Sequence, residues 1–280
     1  MKNRFPSLFR KVPEKEIKRE PSLEERAHAF QEKLKDPNYF PSYAELRPLA
    51  DSFSNEEGDS VFPTREDGIR DFAVNNHIFE VFTQEYIEKF SGYLKERIAN
   101  LSSGDEPITI LEVGAGNGKL SHLLKDSMKD LVASGKVKLV ATDSGDWEID
   151  SPWENVEKLE VKDALKKYHP NIVISSWMPH GEDWTKDFRE EKSVKEYVLI
   201  GPYGPCGSDA TWEHTRPEFE KMYGDKELAK KMQPSSFDRD GFIRTDHGEL
   251  SEYQISRLDI GGEAKTISEW RSGTTSFIKS

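Results

Sequence analysis

Ile108-Thr-Ile-Leu-Glu-Val-Gly-Ala-Gly-Asn-Gly-Lys-Leu120 decides how this chain folds. The short apolar run Ile108–Val113 leads straight into Gly114, Gly116 and Gly118, and a helical pattern begins at Lys119. Glycine lacks the Cβ that forbids sharp turns and holds neighbours off, so the backbone here can bend tightly and approach a ligand. The amides at the start of the following helix are free to donate hydrogen bonds. In open sheets built this way, ligands sit in the crevice at the carboxyl ends of the strands.

The surrounding text repeats the same grammar. Lys119–Val132 reads as a helix with Leu120, Leu123, Leu124, Met128 and Leu131 on one stripe. Val137–Thr142, Val156–Val161, Asn171–Trp177 and Tyr197–Gly201 read as the second to fifth strands, with helical segments between them. That alternation implies parallel β-α-β units with right-handed crossovers. Runs such as Ile172–Ile174 and Val198–Ile200 suit strands buried on both faces. Beyond Gly204 the sequence is polar until Glu252–Leu258 and Thr266–Trp270, which are expected to form an antiparallel pair closing one sheet edge.

Upstream the pattern is helical. Phe72, Ile78, Phe79, Phe82, Tyr86, Phe90, Tyr93, Leu94 and Ile98 recur at three- and four-residue steps, predicting one amphipathic helix over Asp71–Ala99. The polar span Asp51–Gly68 reads as a loop. Residues 1–20 carry seven Lys/Arg against three Glu and, broken by Pro6 and Pro13, read as a flexible basic arm. The expected organisation is that arm, a helical extension or cap over 21–103, and an α/β domain over 104–280.

Composition narrows the function. With 40 basic and 52 acidic side chains, the net charge of −12 disfavours a nucleic-acid partner. No apolar stretch is long enough for a membrane span. Cys206 is the sole cysteine, and no Cys/His cluster has zinc spacing, so a reducing, cytoplasmic setting without a bound metal is expected.

The ligand depends on glycine spacing. The dinucleotide fingerprint G-x-G-x-x-G requires glycine at position 119, where this chain has Lys119. The spacing present is G-x-G-x-G, with Glu112 two residues ahead. Here the chain resembles the class I S-adenosylmethionine-dependent methyltransferases, whose first motif reads acid-x-G-x-G-x-G at this turn. The resemblance covers roughly Phe82 to Gly204, with a weaker echo in the two final strands. It implies a Rossmann-like, doubly wound, mostly parallel seven-stranded sheet with an antiparallel closing edge, and S-adenosyl-L-methionine as cofactor. It also implies that Glu112, Gly114, Ala115, Gly116, Asn117 and Gly118 border that cofactor. Asp143, 25 residues beyond Gly118, would hold the ribose hydroxyls. Asp163-Ala164 would face the adenine, unless Asp163 simply caps the next helix. Ser175 and Ser176 would border cofactor and acceptor.

The acceptor side is read from Ser175-Ser-Trp-Met-Pro-His-Gly-Glu-Asp-Trp184, a loop with two Trp, one His and two acids in ten residues. His180 is the candidate base, against a solvent-exposed loop histidine. Trp177, Trp184 and Tyr203 are candidate acceptor-binding residues, while Glu182 and Asp183 read as helix caps. Pro205-Cys206 resembles the cytosine-C5 enzymes' nucleophile but follows the wrong strand, so Cys206 reads as structural. The expected activity is methyl transfer to a small molecule. The alternatives are a protein acceptor, a non-catalytic binding protein, and a nicotinamide enzyme disfavoured by Lys119.

Overall fold

The computed structural model describes residues 19–53, 69–104, 106–147, 149, 156–260 and 270–280. The basic arm up to residue 18, most of the predicted loop (54–68) and the strand candidate at 266–269 lie outside them.

The chain opens with helices α1 (Leu23–Lys35), α2 (Tyr43–Phe53), α3 (Ile69–Asn75) and α4 (Gln84–Leu101). It continues through β1 (Ile108–Val113), α5 (Lys119–Ser127), α6 (Lys129–Ala133), β2 (Val137–Asp143), β3 (Val156–Lys158), α7 (Val161–Tyr168), β4 (Ile172–Ser176), α8 (Thr185–Glu190) and β5 (Glu196–Gly201). The last part holds α9 (Arg216–Tyr223), α10 (Lys226–Lys231), α11 (Ser236–Arg239), β6 (Phe242–Asp246), α12 (Gly248–Ser251), α13 (Arg257–Ile260) and β7 (Gly273–Lys279). The strands form one seven-stranded sheet in the order β3-β2-β1-β4-β5-β7-β6. The first five are parallel, and β7 and β6 close the edge antiparallel. The fold is Rossmann-like, with the topological switch between β1 and β4.

Period-two alternation sorts the strand residues into two cores. Ile108, Ile110, Ile172, Ile174, Val198 and Ile200 face α4 and α5. Leu111, Val113, Val173, Tyr197 and Leu199 face α7, α8 and Phe237. A third cluster joins Phe30, Leu46 and Ala50 of the N-terminal helices to Val81, Ile255 and Ile260. Each layer buries the apolar face of the next, which stabilises the sheet by roughly 25 cal/mol per Å² covered.

Several predicted boundaries move. The single helix over Asp71–Ala99 is two helices, because His77 takes a left-handed backbone and Thr83 starts α4 by accepting from the Tyr86 amide at 3.2 Å. The helix over Lys119–Val132 breaks at Met128. The third strand stops at Lys158, and Val161 already belongs to α7. Glu252–Leu258 is not a strand: it holds turns and the start of α13, with Ile255 filling the N-terminal cluster. The closing pair is formed instead by β6 and β7. No helix among the described residues is long and apolar enough to cross a membrane.

Candidate active site

β1 delivers its last residue, Val113, into a turn where Gly114 and Gly116 have φ of +63° and +54°. The two glycines are needed for different reasons. A Cβ on Gly114 would sit 2.9 Å from the Trp184 ring, so the position requires close approach as well as left-handed backbone. A Cβ on Gly116 meets only Ile149 at 3.7 Å, so there the backbone conformation alone is demanding. Gly118 is buried at the start of α5, where the Asn117 side chain accepts from the Lys119 amide at 3.1 Å.

Asp143, at the end of β2, faces this turn. Its carboxylate accepts from the Gly116 amide at 2.9 Å and the Gly145 amide at 2.8 Å. A carboxylate has about four lone-pair sites, so two stay available on a group that borders open space. Glu112 is buried beneath the turn and accepts from the amide and hydroxyl of Ser121. Burial pushes its carboxyl up to about 7, against the pull of those two bonds.

Together these residues floor a cleft of about 910 Å³. Its far wall comes from the N-terminal part of the chain: residues 34–37 around the end of α1, Phe72 and Asn76, and the segment His77–Phe82. Lys119 ties the two walls together, because its Nζ donates to the Tyr39 carbonyl at 2.7 Å. Burial lowers the affinity of that ammonium for its proton. Aromatic rings line the opening. Phe79 packs on Trp147 and on Trp177 at 5.6 Å each, and the Arg257 guanidinium lies over Phe79 and Trp177. The lining is acidic: Asp36, Glu80, Glu112, Asp143, Asp146, Glu160 and Glu182 against Lys35 and Lys119.

Trp177 carries the clearest local strain. It has φ +58°, rare for a residue with a side chain, at a cost of about 1–3 kcal/mol. Its amide donates to Ile200 at 2.7 Å and its indole Nε1 to Glu80 at 2.8 Å. Glu80 also accepts from Ser272 Oγ at 2.8 Å and, at 3.3 Å, from Gln254 Nε2.

The structure brings Glu112, Gly114, Ala115, Gly116, Asn117, Asp143, Ser176, Trp177 and Trp184 to the cleft. It does not bring Gly118, which is buried at the start of α5, nor the remaining five. Asp163 is exposed on the first turn of α7, 4.0 Å from Lys166, and Ala164 is buried in the core behind it. Because β3 ends early, Leu159, Glu160 and Val161 take the place on the cleft wall where those two were expected. Ser175 is buried and does not line the cleft. His180 is exposed beyond the rim, its Nδ1 3.0 Å from the Gly204 carbonyl, and Tyr203 packs against His214 at the surface. Asp183 lies one residue before the N-cap Trp184 of α8 and accepts from the Thr185 amide at 3.0 Å. Cys206 is buried under Gly201, and burial holds its thiol protonated.

Sequence reasoning missed Glu80, Phe79, Trp147 and Lys119 as cleft residues. The Asn75-Asn76-His77 run and Thr83, a good cap before an apolar pattern, were the signals that Phe79 and Glu80 lie between helices rather than inside one. Among the described residues, no group of three or more His, Cys, Asp or Glu could hold a metal.

The chain has a Rossmann-like fold, with the glycine turn at the end of its first strand. No family model and no curated protein matches it. Similar solved structures include the DszA carbon methyltransferase, 13% identical with a TM-score of 0.39, covering 69% of this chain and 52% of that one. The citrinin polyketide synthase CMeT domain is 12% identical with a TM-score of 0.43, covering 92% of this chain and 66% of that one. The plantazolicin methyltransferase BpumL in complex with SAH is 10% identical with a TM-score of 0.33, covering 92% and 99%. The chain thus spans between half and two thirds of the length of the first two. Scores this low assign nothing to individual residues, and the chemistry of the cleft rests on this chain's own geometry.

Proposed function

We propose that this protein is an S-adenosylmethionine-dependent methyltransferase acting on a small molecule. The observation that carries this reading is the Asp143 carboxylate, held by the Gly116 and Gly145 amides at the edge of the cleft with lone pairs to spare for a ribose diol. The residues present fit such a donor better than a dinucleotide. Seven acidic residues against two lysines on the lining, even with Glu80 and Glu112 brought to about 7 by burial, favour a cationic sulfonium and amino group over a pyrophosphate. The one lysine in the turn spends its ammonium on Tyr39.

When bound, S-adenosylmethionine supplies an electrophilic methyl group on a sulfonium. Asp143 would take the ribose, the turn from Gly114 to Asn117 the amino-acid end, and Leu159–Val161 the base. Phe79, Trp147, Trp177 and Trp184 wall off water and orient the acceptor, a contribution that can reach about 7–11 kcal/mol when alignment is good. A cleft bounded on one side by the N-terminal helices favours a compact acceptor. The acidic lining disfavours phosphate-rich ones.

The test is a melting experiment. S-adenosylhomocysteine at a hundredfold excess over its Kd stabilises by about 2.7 kcal/mol, which raises Tm by roughly 5–10 °C for a domain this size. NAD produces no shift, and Asp143→Ala abolishes the shift with S-adenosylhomocysteine. Stabilisation by NAD alone would overturn the proposal.

A further inference from the structure

Resting on that reading, we infer that Glu80 receives the proton of the methyl acceptor, and that the acceptor attacks through a neutral amine or hydroxyl. Glu80 sits on the cleft wall opposite the glycine turn, in the extended segment between α3 and α4. It is 8% exposed and is among the residues lining the cleft. All its hydrogen bonds come from neutral donors: Trp177 and Ser272 on Oε2, and only the long 3.3 Å contact from Gln254 on Oε1. Oε1 therefore keeps acceptor capacity on a carboxylate that, among the described residues, is hydrogen-bonded only by neutral donors.

The charged and titratable groups packed around it are few. Asp259 of α13 raises its proton affinity, and Cys206 and Tyr86 are themselves raised by it. The Arg257 guanidinium lies over the Trp177 ring, whose indole nitrogen donates to Glu80. Burial is the largest cause of the shift that brings Glu80 up to about 7. Near that pH a carboxylate is a stronger base than an exposed glutamate and still ionises, the compromise proton transfer needs.

The step balances as follows. The lone pair of the acceptor's nitrogen or oxygen forms the bond to the methyl carbon. The carbon–sulfur bond breaks with its electron pair staying on sulfur, leaving the neutral thioether of S-adenosylhomocysteine. The acceptor's proton passes to a Glu80 oxygen, so a sulfonium and a carboxylate become a thioether and a carboxylic acid. Trp177 and Ser272 position the carboxylate and do not touch the reacting atoms.

Two measurements on the full chain test this. In the ligand-free protein, infrared titration of wild type minus Glu80→Gln isolates one carboxyl band, expected to ionise with a midpoint near 7. In single turnover, methyl-labelled S-adenosylmethionine and the small-molecule fraction of a cell extract serve as probes. Wild-type transfer rises about tenfold per pH unit below 7 and then levels. Glu80→Gln loses at least about 100-fold, the lower end for general base catalysis, and loses the rise, while its Tm shift with S-adenosylhomocysteine matches wild type. Ser272→Ala moves both midpoints upward, because it removes a bond that favours the ionised form. This arm stands even if Glu80→Gln does not fold. Wild-type transfer rates in Glu80→Gln, or unmoved midpoints in Ser272→Ala, overturn the inference. A wild type that shows no shift with S-adenosylhomocysteine sinks the methyltransferase reading itself.

Discussion

Two buried carboxylates, one on the sheet and one in the segment between α3 and α4, are handled in opposite ways. Glu196 at the start of β5 is fully buried, with the Arg97 guanidinium at 2.5 Å and the Tyr93 hydroxyl on its other oxygen. Burial raises its proton affinity, but the cation and the phenol pull it back. Glu80 at the cleft wall is held, among the described residues, by neutral donors alone. A buried charge beside an opposite charge is a structural pin, since removing one partner strands the other. A buried carboxyl held only by neutral dipoles at the edge of a cleft can gain and lose a proton without tearing the fold. The same fold thus uses one acid for architecture and leaves the other poised.

The largest effect that tests this contrast is Arg97→Ala, which leaves Glu196 buried without its cation and is expected to cost about 3–5 kcal/mol in denaturant unfolding. A loss under 1 kcal/mol would remove the distinction between the two sites. Next comes the pH dependence of stability. Glu80 and Glu112 both shift from 4.5 to about 7, so between those values the folded protein binds more protons than the unfolded chain. Stability therefore falls as pH rises from about 4.5 to 7 and is flat above, with each group contributing at most about 3 kcal/mol. Glu80→Gln or Glu112→Gln each flatten part of that fall; a curve that climbs over this window in wild type would refute both shifts.

Smaller still is Gly114→Ala, where a left-handed alanine costs about 1–2 kcal/mol and the added Cβ displaces Trp184. Unfolding stability drops by that amount, and the melting shift with S-adenosylhomocysteine disappears. The smallest is Trp177→Phe, which removes one neutral donor from Glu80 at a cost of about 1 kcal/mol and raises the pH of the stability step. A loss comparable to that of Arg97→Ala would make the two carboxylates equivalent.

How much of this was readable in the chain follows from where burial comes from. β1, β4 and β5 were legible because helices cover them on both faces, leaving apolar runs. β7 was not, since Thr274, Thr275 and Ser276 look like a surface. They are buried because Thr274 pairs with Tyr86 and Gln254, Thr275 with Asp246 and Ser276 with His247. Conversely, Tyr253, Ile255 and Leu258 imitate a strand while serving packing contacts with Tyr43, the N-terminal helices and the sheet. At the site, the glycine turn and Asp143 depend on residues close in sequence or at a strand end, and they were found. Glu80 depends on residues 177, 254 and 272 converging on it, which only the fold arranges.

A crystal soaked with S-adenosylhomocysteine tests the central claim most directly. The expected density places the ribose hydroxyls within hydrogen-bond distance of Asp143, with the amino-acid end against the turn from Gly114 to Asn117. Density for the nucleoside elsewhere on the protein, with this cleft empty at saturating ligand, would contradict it.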